Sequence, residues 1–216
     1  MLMPMFSPSV AAGPDLIVTL TDDSASSANA ATYNFTSQSF GSSTVDDYLV
    51  VTVAGLSNIS YTLDSLTVDG EAATIITGAS SILVTNHILA AIAIVPATGN
   101  ASGTVTPAFS GTLGACGIGL FRVQNLQSTT ATDTGGDSGA SPSDTLNVSA
   151  GGAAFGVVCH SNTTSTWTNL TERFESSMQG PTSHTAAMDV FSSAQAGLAI
   201  SNGATTDVVM ALASFR

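Results

Sequence analysis

The sequence predicts an all-β fold, an antiparallel β-sandwich or jelly roll of about a dozen strands. Three observations lead there. Apolar residues recur with a period of two almost throughout, which is the side-chain repeat of a strand. Turn signals of Gly, Asp, Asn, Pro and Ser return every ~8–12 residues, the rhythm of sandwiches and barrels. Ser, Thr and Val are abundant while Lys is absent, so strand and turn formers outweigh helix formers.

Taken in order, residues 1–14 read as an extended N-terminal arm. "MLMPMFSPSV" is apolar, broken by Pro4 and Pro8, and unlike the alternating segments after it. Residues 15–216 read as a single β-sandwich domain. "DYLVVTVAG" places Leu49, Val51 and Val53 on one face and Tyr48, Val50 and Thr52 on the other. Asp69-Gly70 supplies the two positive φ angles of a type I′ turn, joining Leu66–Val68 to Ala72–Ile76 as a hairpin. "ILVTNHILAAIAIV" gives two strands split near Asn86, or one long bent strand. "PATGNASG" turns the chain into "TVTPAF", and "ACGIGLFRV" follows, with glycines that allow close approach of another layer. The tract 127–145 is polar and low in complexity, and reads as a long exposed loop. "LNVSAGGAAFGVVCH", "STWTNLTERFE", "SHTAAMDVFSS" and "AGLAISN" supply further strands. "DVVMALASFR" is apolar on both faces and reads as an interior strand. No helix longer than a turn or two and no residue-level repeat is expected.

The formal charge is −12, from 15 acidic and three basic residues. Nucleic-acid binding rests on Lys and Arg neutralising phosphates, and Arg122, Arg173 and Arg216 are too few for a basic patch. An anionic lipid surface would repel the chain. The longest apolar run, Ile88–Val95, is far short of the ~20 residues of a spanning helix, so no membrane insertion is expected. The opening residues lack the basic start of a secretion signal. Cys116 and Cys159 lie in apolar runs. Sequence leaves open whether they are separate buried thiols or a disulfide.

Candidate chemistry is sparse, and neither a catalytic residue, nor a metal ligand, nor a cofactor is expected. Asp137-Ser138 echoes a protease nucleophile loop, but within a tract of Ser, Thr, Gly and Asp where such an echo arises readily. His87, His160 and His184 have no ligand spacing, and Cys159-His160 would point to opposite faces of a strand. Asp22-Asp23, Asp46-Asp47 and Asp133/Asp137/Asp144 read as turn carboxylates, since none has the spacing of a calcium loop. The lone tryptophan, Trp167, reads chiefly as packing, with stacking on a ligand as the alternative. Arg173 and Glu175 are expected to form a same-face ion pair. In the arm, Met1, Leu2, Met3, Met5 and Phe6 are the candidates for burial in a partner, against a frayed terminus.

"LTVDGEAAT", "GACGIGLFRV", "WTNLTERFE" and the ending "ALASFR" occur in that order. Together they resemble a group of small acidic all-β virion proteins of tailed phages and prophages of marine alphaproteobacteria. The resemblance implies a non-enzymatic component of the outer surface of a particle: a capsid decoration, a spike or part of the tail. It implies synthesis in the host cytoplasm, capsid or tail proteins as partners, and homo-oligomeric copies attached by the arm or an edge strand. The alternative is a carbohydrate-binding or adhesin sandwich, with Trp167 stacking on a host glycan.

Overall fold

The computed structural model describes residues 13–42, 44–82, 86–161 and 164–216, with only the backbone described over 79–82. Arm residues Met1, Leu2, Met3, Met5 and Phe6 lie outside this set. The described residues contain 18 strands and no helix, so nothing among them is long and apolar enough to cross a membrane as a helix. The first ten strands are β1 (Ile17–Ser26), β2 (Ala30–Thr32), β3 (Phe35–Ser39), β4 (Tyr48–Ser57), β5 (Leu63–Val68), β6 (Glu71–Ala72), β7 (Thr74–Ile82), β8 (His87–Pro96), β9 (Ser102–Leu113) and β10 (Ala115–Gln124). The remaining eight are β11 (Asp133–Ser138), β12 (Ser143–Val148), β13 (Gly152–Ser161), β14 (Trp167–Thr168), β15 (Glu172–Gln179), β16 (Thr182–Phe191), β17 (Gln195–Asn202) and β18 (Val209–Phe215).

Every strand pair is antiparallel, in four sheets. Two inner sheets run β1-β10-β4-β8-β7 and β11-β18-β13-β16-β15. Each is covered on its outer side by a further sheet: five-stranded over the first, β2 and β3 with β9-β5-β6, and three-stranded over the second, β12-β17-β14. Three apolar cores fill the gaps between the four layers. Burial on both faces explains why β4, β8, β10, β13 and β18 are nearly continuous apolar runs rather than alternating ones. Strands with one wet face alternate, as β9 does.

The two halves share one connectivity. The order β1-β10-β4-β8-β7 is matched strand for strand by β11-β18-β13-β16-β15, and β9-β5 by β17-β14. In each half the first strand lies beside the last and the chain winds between two sheets, as in a jelly roll. The match extends to residues. Phe121 pairs with Val50 as Phe215 pairs with Ala153, and both phenylalanines are followed by arginine. The same face of each inner sheet meets the other. Strand β7 lies over β11 and β18, and β15 lies over β1 and β10, as a twofold relation between halves requires. At the centre Phe155 contacts Phe121 (5.6 Å, edge-on) and Phe215 (5.9 Å, edge-on). The repeat absent from the sequence reading is therefore one of topology. A sandwich constrains inward and outward positions more than identities, so two halves diverge while keeping their winding.

Other expectations are refined. Asp69 (φ 50°) and Gly70 (φ 87°) form the expected turn, but its second strand is brief. After β6 the chain crosses at Ala73 to the inner sheet as β7. The split near Asn86 is present, with β8 starting at His87. The tract 127–145 is not all loop, since it contains β11 and the start of β12. Its pairing comes from the backbone against β18, helped by carboxylates. Asp144 accepts from Gly136 N (2.8 Å), Asp137 from Ser143 N (2.9 Å) and Asp133 from Asn147 N (2.8 Å). An edge strand stabilised this way carries no apolar signal. The first half has the counterpart of the last bond: Asp22 on β1 accepts from Ser39 N at 2.6 Å.

Candidate functional site

The stretch Ser165–Glu175 lies where the second inner sheet meets its cover, and there the structure gathers aromatic and charged groups. Strand β14 is positioned by Asn202, its cross-strand neighbour. Asn202 donates to Ser165 Oγ (2.6 Å) and accepts from Ala204 N (3.0 Å). Asn169 then turns the chain in the left-handed region (φ 62°), and Leu170 is buried. The six-membered end of the Trp167 indole lies on Gly156, where a Cβ would stand 2.6 Å from the ring. Its Nε1 donates to Thr185 Oγ1 at 3.2 Å. Trp167 is thus half-buried packing in the outer core, with only part of its surface available to a ligand.

A bulge between Glu172 and Phe174 redirects the charges. Arg173 does not pair with Glu175. It donates to Met188 O (3.0 and 3.2 Å) and lies 3.3 Å from Asp189, a residue of the adjacent strand. Residues two apart on one strand stand ~7 Å apart, so a cross-strand carboxylate is the closer partner once the bulge turns the guanidinium. Glu175 instead places Oε1 3.1 Å from His160 Nε2. Glu172 Oε2 lies 3.2 Å from the Thr185 hydroxyl, which also reaches Phe174 O at 2.8 Å.

His160 and His184 sit on neighbouring strands and face opposite sides of the sheet. Cys159, the residue before His160, points into the central core, as expected for adjacent strand positions. Burial lowers the His160 imidazole, while Glu172 pulls the other way. Burial pushes His184 down to about 4, and nearby His160 adds to the shift. The His184 ring is therefore neutral at neutral pH. It is enclosed between the inner sheets, against Gly117 and 5.1 Å from the Phe174 ring, and neither of its nitrogens has a hydrogen-bond partner among the described residues. Sequence reasoning weighed His184 only as a metal ligand without ligand spacing, and did not single out Thr185. The available signal was their place in "SHTAAM", a run otherwise composed like a core strand.

The remaining candidates stay apart. Asp137 accepts from the backbone of Ser138 and Ser143, a turn role rather than one beside a histidine. Asp22, Asp47, Asp133 and Asp144 also accept from backbone N–H groups. Among the described residues no group of three or more His, Cys, Asp or Glu is placed to hold a metal ion. Cys116 and Cys159 are separate free thiols in different cores, and burial raises both.

A second locality is a cleft of about 360 Å³ at one end of the first half. Asn29, Asn58, Asn86 and Gln179 line it above Leu56 and Leu113, and no charged side chain takes part. Gln179 Oε1 and Asn29 Oδ1 converge on Gly114, at 3.1 and 3.9 Å from where its Cβ would stand.

No protein-family model, no curated protein and no solved structure matches this chain.

Proposed function

We propose that this chain is a non-enzymatic structural protein of the outer surface of a tailed-phage virion, attached by its N-terminal arm or an edge strand. The observation that carries the reading is the doubled jelly-roll winding with a shared central core. Jelly rolls recur in viral capsid proteins, a fold-level analogy that supports the reading without establishing it. Two of the stretches that carry the sequence resemblance, "GACGIGLFRV" and "ALASFR", overlap the matching closing strands β10 and β18. A body rigid in four layers and carrying net charge −12 suits a projecting, soluble coat. The test is mass spectrometry and antibody labelling of purified particles made from the genome that encodes the chain. The protein is expected in intact particles, accessible on their exterior. Its absence from them refutes the reading. Deleting Met1–Pro14 is expected to abolish incorporation.

The amide-lined cleft favours a second reading, carbohydrate binding. Asn and Gln present both donors and acceptors, as sugar hydroxyls require, and the apolar floor suits a sugar's C–H face. A glycan array probed with the wild type, Trp167→Ala and Gln179→Ala decides it. Binding lost with Gln179→Ala but kept with Trp167→Ala places a glycan in the cleft. Binding lost only with Trp167→Ala places it at the tryptophan, and no binding removes the reading.

A further inference from the structure

Strand β7 ends its sheet, and among the described residues its outer side makes no backbone hydrogen bond. It is nine residues long, TIITGASSI, without a charge or a proline. The other edges of the two inner sheets are guarded: Asp22 and Asp23 on β1, Asp133 and Asp137 on β11, and Glu172, Arg173 and Glu175 on β15. Charges, prolines and bulges are the usual devices that keep an edge from pairing. Strand β7 has neither charge nor proline, and its bulge is confined to Ile75–Thr77, so the rest of the strand is open to a further one. Beside it runs a cleft of about 350 Å³ between Thr74–Ile76 and Thr129–Ala131, and Ile75 is 37% exposed there.

Residues 1–12 have the complementary character. They contain no charged side chain, and both prolines sit at even positions, 4 and 8. In an extended segment alternate residues direct their N–H groups to the same edge. Were residues 1–12 to pair as an extended strand, Met3, Met5, Ser7 and Ser9 would offer an unbroken row of donors on one edge, while Pro4 and Pro8 would blunt the other. A strand of this kind pairs on one side and stops further addition. Extended, twelve residues span ~40 Å, against ~30 Å for β7. The root is fixed: Arg216 holds the carbonyls of Gly13 (2.7 Å) and Pro14 (2.8 Å), beside Gln127.

We propose that the uncharged edge of β7 receives residues 1–12 of a second copy of this chain as an added antiparallel strand, joining copies arm to edge. The arm and the edge strand, alternative attachments in the functional reading, become the two sides of one joint. This assignment of a second copy rests on that reading's expectation of an oligomer. A neutral strand laid on a neutral edge joins two bodies of charge −12 without bringing their carboxylates together.

Light scattering of the purified full-length protein at near-physiological salt tests the joint. The wild type is expected at a multiple of 21.6 kDa. Ser7→Pro, on the pairing edge, and Ile75→Lys, on β7, are each expected to give monomers with unchanged circular dichroism. Val10→Pro, on the outward edge, is expected to keep the wild-type mass. A monomeric wild type, including one whose residues 1–12 are protected within the same molecule, overturns the proposal. So does equal behaviour of the two proline variants, or an oligomer that survives Ile75→Lys. The outcome is separable from the virion reading: a monomer found in particles refutes only the joint, and an assembling protein absent from particles refutes only the virion role.

Discussion

His184 is an imidazole where the other half of the molecule has an aliphatic side chain. The register that pairs Leu56 with Ile88 in the first half pairs Cys159 with His184 in the second. Burial holds its folded pKa at about 4, below the ordinary 6.5. The unfolded chain therefore binds the extra proton first, and stability falls as pH drops from about 6.5 toward 4. By linkage the loss approaches ~3 kcal/mol at the lower end. Replacing His184 with Ile should flatten urea-derived stability over this window while leaving the pH 8 value equal or higher. Gly119 tests the same core from the facing sheet. A Cβ there would lie 2.4 Å from the Phe174 ring and 2.7 Å from Thr52 Oγ1. Gly119→Ala should cost about 1–3 kcal/mol in denaturant unfolding, the usual penalty of overpacking. The glycines of "ACGIGLFRV" announced such an approach in the sequence. Which rings would occupy the space was not legible, because Phe174 and His184 arrive from the opposite half of the chain.

At the scale of elements, pattern reading succeeded where apolar residues carry the strand and failed where the backbone does. The interior strands β4, β8, β10, β13 and β18 follow from their composition. Strand β11 does not, since its residues DTGGDS bury no large side chain and its pairing depends on β18 and on carboxylates from its neighbours. Bulges were equally silent. The one at Arg173 moved the expected ion pair from Glu175 to Asp189, and no local pattern in "TERFE" records it. The Asp22 bond to β3 and the Asp133 bond to β12 are a shared device, since these two strands pair with the matching strands β9 and β17. Hydrogen bonds from the Asn147 backbone, from Thr134 N and from the Asn147 amide keep the Asp133 carboxyl below its usual range. Its contribution is thus present above the ordinary carboxylate pKa and lost as pH falls below it. Asp133→Ala should lower stability by about 1 kcal/mol at neutral pH, read from the denaturant midpoint. It should also speed amide exchange at Asn147.

For the whole molecule, the layered all-β class was readable and the doubling was not. Alternation states which residues face inward, but not that two inner sheets face each other. Trp167, the one tryptophan, packs on Gly156, a seat set by strands distant in sequence. The shared central core makes a thermodynamic claim. Phe155 touches the closing strands of both halves, so neither half can open without exposing the other's inner face. Truncating it to Ala should destabilise the entire chain by about 3–5 kcal/mol, not one half alone. The most direct test is differential scanning calorimetry of the full-length protein at neutral pH. The shared core predicts one endotherm whose van't Hoff and calorimetric enthalpies agree per folded unit. Two resolved endotherms, one for each half, would contradict it.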